Sequence, residues 1–187
     1  MATTHQITSV DTDRLILGNY AISTSATSGG TFVALGPGML TAFNHQFTNS
    51  NIQAGNSIDP LEYIADESAT FSVDVLEYDA SVLSAIQGGL TNTTGITTTG
   101  STLRAGGAST LTKRAFKLTN VNQKGTASIT TVITIFKASV EGGMTLGVKS
   151  DNDADPINVY QFTFKAENDA TLSVGSQLFT IVKTGKP

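Results

Sequence analysis

The clearest alternation of apolar and polar residues lies between Glu67 and Tyr78. One set of alternate positions is apolar and the other is polar, namely Ala69, Phe71, Val73 and Val75 against Ser68, Thr70, Ser72 and Asp74. A period of two predicts a strand with one buried face and one polar face. Weaker patterns of the same kind predict strands at 14–23, 31–35, 114–121, 128–140, 144–149, 157–166 and 177–183.

Glycine-rich and polar stretches separate these strands. Gly29-Gly30 predicts a turn, and the Gly-Pro-Gly run at 36–38 predicts the end of the second strand. The segment 122–125 and the Glu-Gly-Gly run at 141–143 predict hairpin turns. Residues 54–66 have the composition of a loop, although this loop carries the apolar residues Ile58, Leu61, Tyr63 and Ile64.

One short helix is predicted at 79–87. Asp79 is suited to cap its start, and Gly88-Gly89 is suited to end it. Its apolar residues Val82, Leu83 and Ile86 fall on one helical face. The Thr- and Gly-rich segment 90–112 that follows is either a long loop with some extended pairing or a disordered segment.

The predicted fold is mainly β, an antiparallel β-sandwich or half-barrel with one flanking α-helix, long loops and terminal arms. We expect a single domain at 14–183, preceded by an N-terminal arm at 1–13 and followed by a C-terminal tail at 184–187. Eight or nine strands fit within this length.

The amino-acid composition argues against several functional classes, but it does not by itself indicate one. Of the 187 residues, 14% are charged, the net charge is −4, and there is no cysteine. The acidic balance argues against a strongly basic nucleic-acid binder, and the lack of cysteine excludes thiol chemistry. The N-terminal residues lack the pattern of a signal peptide, and no apolar run is long enough for a transmembrane helix, so we expect no membrane anchor.

Motifs that would carry catalysis or bind cofactors are incomplete. In the glycine-rich run at 142–150, Val148 separates Gly147 from Lys149, so the register of a phosphate-binding loop is lost. Asp151, Asp153 and Asp155 have the spacing of a calcium loop without its later ligands, which leaves only a weak cation site open. For His45, a position on the polar face of an extended segment is a simpler interpretation than a role as a ligand or a catalytic base. We therefore expect no enzyme activity, no metal and no cofactor.

Several stretches taken together resemble the tail tube (major tail) proteins of long-tailed bacteriophages. They are Gly18–Ile22 (GNYAI), Gly29–Gly36 (GGTFVALG), Glu67–Phe71 (ESATF), the helix ending at Gly88-Gly89, Asp169, and Gly175–Ile181 (GSQLFTI). The resemblance spans most of 14–182 and leaves 90–112 without a counterpart.

The resemblance implies a β-sandwich with a flanking helix that forms hexameric rings, with the inner strands joined into one continuous barrel. Stacked rings would form a tube around a tape-measure protein, end at tail terminator and tip proteins, and later conduct double-stranded DNA. It implies assembly in the host cytoplasm and a final location in the tail of the virion.

Candidate site residues follow from this resemblance. Ile58, Leu61, Tyr63 and Ile64 would pack ring against ring, or alternatively fold back on the chain's own core. Asp74 and Glu77 would face the lumen, where an acidic wall would let DNA slide, or alternatively be ordinary outer-face charges.

Three other functional classes stay open. A capsid decoration protein or a tail-completion protein would share the β-rich composition. A carbohydrate-binding β-sandwich module is disfavoured by the absence of tryptophan, which sugar sites often use for stacking. An enzyme would need a site that the sequence does not display.

Overall fold

The computed structural model describes residues 19–52, 61–76, 83–84, 86–87, 91–97, 100–105, 111–124, 127–149 and 157–185. The described chain is mainly β, as predicted. Its nine strands are β1 Asn19–Ser25, β2 Val33–Ile52, β3 Leu61–Val75, β4 Thr91–Thr97, β5 Gly100–Ala105, β6 Arg114–Lys124, β7 Ala127–Lys149, β8 Ile157–Ala166 and β9 Phe179–Thr184.

Seven of these strands form one sheet whose ladder closes on itself. The order is β6-β1-β2-β3-β8-β7-β9, and β6 also pairs with β7. The β6–β7 pairing closes six of these strands into a circuit, and β9 pairs with the first half of β7. Every pairing in the sheet is antiparallel. Closure hides the edges that the barrel parts of these strands would expose in an open sheet. The predicted antiparallel sandwich or half-barrel is confirmed.

An aromatic cluster fills the barrel. Phe71 of β3 stacks on Phe164 of β8 with ring centroids 4.7 Å apart, and Phe116 of β6 lies 4.6 Å from Phe164. All three side chains are buried. Offset and edge contacts of this kind add to the free energy gained by burying the rings. The alternation predicted for β3 and β8 therefore does place one face of each strand in the core.

The predicted strand end at 36–38 is wrong. Strand β2 runs through Gly36-Pro37-Gly38 without interruption for 20 residues. The pairing with β1 shifts register between Ile22 and Ser23, and Gly36 has φ 110°. A bulge accommodates both a positive φ and a proline, which has no N–H to donate. Glycine and proline often end strands, but here they bend β2 without ending it.

The predicted hairpin turn at 141–143 is also wrong. Strand β7 continues through Gly142 and Gly143 to Lys149, and the register against β8 shifts between Glu141 and Met144. Both glycines have positive φ, at 75° and 89°. Bulges and turns both use glycine in this conformation, so the dipeptide alone does not distinguish them.

Two further loop predictions need correction. Residues 61–66 belong to β3 rather than to a loop, and β6 extends to Lys124, through most of the turn predicted at 122–125. Within 90–112, β4 and β5 form a separate two-stranded sheet, which favours the extended-pairing alternative. Strand β9 reaches Thr184, one residue into the predicted tail.

The predicted helix is described only in part. Leu83, Ser84 and Ile86 are helical, and the Gln87 N–H donates to the Leu83 carbonyl over 3.0 Å. Leu83 and Ile86 are buried in the main core, as the predicted stripe requires. The rest of 79–87 lies outside the described residues, as do the predicted arm at 1–13 and the acidic segment at 151–155.

Candidate functional site

The second half of β2 and the first half of β3 form a two-stranded extension, called here the β2–β3 arm (residues 44–52 and 61–68). Strand β3 pairs with β8 only from Ala69 onward, and β2 pairs with β1 only as far as Met39. Within the described chain, the arm strands pair only with each other. An isolated two-stranded ribbon is marginally stable in water, so other contacts are expected to support this one.

Large apolar side chains are exposed on both faces of the arm. The register shifts between Thr48 and Asn49, and Phe47 pairs with Glu67 while Asn49 pairs with Ile64. Phe47 and Ile64 therefore share one face, and Tyr63 and Ile52 lie on the other. The exposed fractions are 58% for Phe47, 58% for Ile64, 51% for Ile52 and 45% for Tyr63. The chain's own core covers neither face, and exposed apolar patches of this kind mark contact surfaces.

The charges of the arm are all negative. It carries Glu62, Asp66 and Glu67 and no lysine or arginine. His45 lies 2.8 Å from Glu67 through its Nε2, and its ring meets Phe179 edge-on at 5.2 Å. Glu62 and Asp66 are exposed and form no ion pair among the residues described. The arm thus offers carboxylates beside aromatic and aliphatic side chains.

A cavity of about 430 Å³ lies where β2 begins, at the opposite end of that strand from the arm tip. Its lining combines hydroxyl groups, small apolar residues and one guanidinium, and includes Thr24, Thr27, Thr31, Val33, Leu35 and Arg114. The Arg114 Nε is shielded from solvent and has no hydrogen-bond partner among the residues that the structure describes. A buried charged donor left unpaired costs about 1–3 kcal/mol or more. The Nε is out of reach of a ligand, but Arg114 places a positive charge at the cavity wall, and this favours an anionic ligand.

Two charged residues near Arg114, Lys113 and Asp169, already have partners. Lys113 forms an ion pair with Glu167, and this contact lowers the pKa of the Glu167 carboxyl. Hydrogen bonds from the Thr171 hydroxyl and backbone N–H, and then from Ser28, lower the pKa of Asp169, with Lys137 adding a smaller attraction. Arg114 forms no ion pair with any carboxylate in the described part of the chain.

The predicted site residues differ in their exposure in the structure, and two of them lie outside the described residues. Tyr63 and Ile64 are exposed on the arm, and Leu61 lies in the same strand. Asp74 is only 2% exposed in the single chain, so its carboxylate is not open to solvent there, and its place at a lumen stays a prediction. Ile58 and Glu77 lie outside the described residues.

Sequence reasoning missed Phe47, Ile52 and Arg114. Phe43, His45 and Phe47 alternate with polar residues, and this period of two was the available signal for the first half of the arm. No comparable signal exists for Arg114, because its cavity joins two segments about 80 residues apart in sequence.

The described residues contain neither a cluster of potential metal ligands nor a helix that could span a membrane. Among the described residues, no group of three or more histidine, aspartate or glutamate side chains comes together in a way that could hold a metal ion. The same residues include no helix with the length and apolar character needed to cross a membrane.

Comparisons with known proteins leave the family unassigned. No family model matches the sequence, and no curated protein matches it. Among solved structures, the chain is similar to the anti-feeding prophage cap, described as the tube terminating cap and determined by cryo-electron microscopy. The TM-score is 0.42 and the identity 15%, covering 98% of this chain and 100% of the cap. A likeness at this level establishes neither a shared fold nor a shared function.

Proposed function

We propose that this chain is a structural protein of a phage-type tail whose copies assemble into stacked rings that form the tail tube. In this proposal the rings are hexameric, the tube surrounds a tape-measure protein and ends at terminator and tip proteins, and DNA passes through it. The chain is structural rather than catalytic. It is assembled in the host cytoplasm and resides in the virion tail.

The observation that carries the proposal is the β2–β3 arm. It projects beyond the closed barrel and exposes Phe47, Ile52, Tyr63 and Ile64. An isolated subunit leaves about half of the surface of these side chains in water. A second copy would bury that remainder at about 25 cal/mol per Å² of apolar surface. The resemblance of the sequence to tail tube proteins supplies the form of that assembly.

The experiment is negative-stain electron microscopy of the purified full chain at low and high concentration. We expect stacked rings with a central channel at high concentration. Persistent monomers at every concentration would contradict self-assembly. Binding to a preformed capsid lattice without tubes would instead support a decoration protein.

Variants of the arm sharpen this test. Tyr63→Ala and Ile64→Asp should remain folded monomers, because neither side chain is in the core. Both should shorten or abolish the tubes. Val174→Asp is the matched control, since Val174 is 93% exposed and lies outside the arm. Tubes of normal length from both arm variants would remove the arm from the proposal.

A further inference from the structure

We infer that the cavity at Arg114 receives a carboxylate from the β2–β3 arm of a second copy of this chain. The inference rests on the proposed function, and it names the surface onto which the arm docks. The two partners are Arg114 in the cavity of one copy and Glu62 or Asp66 on the arm of the next.

The first step of the argument is that the arm cannot fill the cavity of its own chain. Val33 lines the cavity and is the first residue of β2, while Ile52 is its last. A strand rises about 3.3 Å per residue, so these two residues are separated by up to about 60 Å along β2. An extended strand holds its two ends apart. The occupant must therefore come from another molecule.

The second step is complementarity of charge. The arm carries three carboxylates and no cationic lysine or arginine, and Glu62 and Asp66 have no ion-pair partner in the described part of the chain. Arg114 lines the cavity and has no ion-pair partner in the described part of the chain, while its Nε is itself shielded from solvent. A planar guanidinium matches a carboxylate with two parallel hydrogen bonds, and such charge-assisted bonds are stronger than neutral ones.

The third step is complementarity of surface. Tyr63 is 45% exposed and lies on the same face of the arm as Asp66, because Tyr63 pairs with Ser50 and Asp66 pairs with Thr48. The cavity wall includes Val33, which is 64% exposed, together with Ala34 and threonine side chains. Asp66 entering the cavity would bring the tyrosine ring onto these apolar groups, whereas Glu62 lies on the opposite face of the arm, beside Ile64. The two sites lie at opposite ends of β2, so the contact is head-to-tail, and where it does not close into a ring its repetition produces a stack.

Site-directed cross-linking tests this contact directly, because the chain contains no cysteine. One protein carries Asn51→Cys, next to Glu62 across the arm ladder, and the other carries Thr31→Cys in the cavity wall. A short bis-maleimide should join the two proteins when they are mixed. Val174→Cys replaces Thr31→Cys as the matched control and should give little product.

Charge reversal then identifies the partners. Adding Arg114→Glu to the Thr31→Cys protein should reduce the cross-linked product on the order of tenfold or more. Adding Glu62→Arg or Asp66→Arg to the Asn51→Cys protein should restore it. Lys165→Glu, an exposed reversal elsewhere in the sheet, should leave the yield unchanged. Arg114→Gln with a thermal melt separates a binding defect from a folding defect.

The outcomes distinguish this inference from the proposed function. Cross-linked pairs without tubes would overturn the tube and keep the contact. Tubes without a cross-link, or a full yield of cross-link from both Arg114→Glu and Arg114→Gln, would overturn the contact and keep the tube. Failure of both arm reversals to rescue Arg114→Glu would overturn the choice of arm carboxylate.

Discussion

The barrel half and the arm half of β3 share one backbone ladder with β2 and differ in what covers their side chains. In the barrel half, Ala69, Phe71, Val73 and Val75 are each no more than 2% exposed. In the arm half, Tyr63 and Ile64 are about half exposed. Main-chain hydrogen bonds to β2 continue along both halves. Backbone pairing therefore extends well beyond the part of the strand that the hydrophobic core stabilises.

The two halves of β3 therefore have different roles. The barrel half holds the fold together, because burial of apolar surface is the dominant favourable term in folding. The arm half exposes surface that only another molecule can bury. Substitutions in the barrel half should change the free energy of unfolding, and substitutions in the arm should change assembly.

The largest expected effect contrasts two phenylalanines. Phe71→Ala should lower the free energy of unfolding by about 3–5 kcal/mol, because it leaves a cavity between the Phe116 and Phe164 rings. Phe47→Ala on the arm should change it by no more than about 0.5 kcal/mol. Urea unfolding of the monomer measures both. Similar losses from the two variants would mean that the arm has a packed core of its own.

The next effect compares two glycines. A Cβ on Gly38 would meet the Ile22 side chain and lie 2.6 Å from the Asp74 carbonyl oxygen, whereas one on Gly29 would have nothing within 4 Å. Overpacking of this kind costs about 1–3 kcal/mol, so Gly38→Ala should be clearly destabilising. Gly29→Ala should stay within about 0.5 kcal/mol of the parent, and thermal melts compare them. Equal melting temperatures would show that β2 can shift at Gly38.

A smaller effect is expected at the base of the arm. His45 and Glu67 form a 2.8 Å hydrogen bond with both side chains more than a third exposed. Exposed pairs contribute about 0–1 kcal/mol, so Glu67→Gln should leave unfolding nearly unchanged. The same variant tests the arm in assembly assays, with Glu141→Gln as an exposed control on β7. A large loss of monomer stability would place this pair with the barrel instead.

The smallest effect concerns pH and the loop after β8. Hydrogen bonds from Thr171 lower the pKa of Asp169 below its ordinary 3.8 in the folded chain. The folded state therefore favours the charged form, and this stabilisation is present above about pH 4 and is lost as pH falls through the folded pKa. Asp169→Asn should be less stable than the parent at pH 6, and the gap should narrow towards pH 2. Parallel pH profiles of unfolding would contradict this assignment.

Alternation of apolar residues predicted the fold class and the barrel halves of β3 and β8, because strands with one buried face carry that pattern. Local sequence patterns gave the wrong prediction at Gly142-Gly143, because glycines with positive φ occur both in turns and in bulges. Only the pairing register distinguishes the two. Tyr63 and Ile64 were recognisable as apolar residues that needed cover. Arg114 was not, since its unbonded Nε is visible only after distant segments have come together.

The unbroken course of β2 also has a mechanical consequence. One covalent backbone links the Arg114 end of the subunit to the arm tip. Ladder hydrogen bonds lie perpendicular to the strands, so a pull along β2 loads many of them together in shear instead of opening them one after another. In a stack built on the proposed contact, tension would pass from subunit to subunit along these strands. Because β2 is continuous through Gly36-Pro37-Gly38, the contact between subunits, rather than the subunit itself, would then set the tensile strength of the filament.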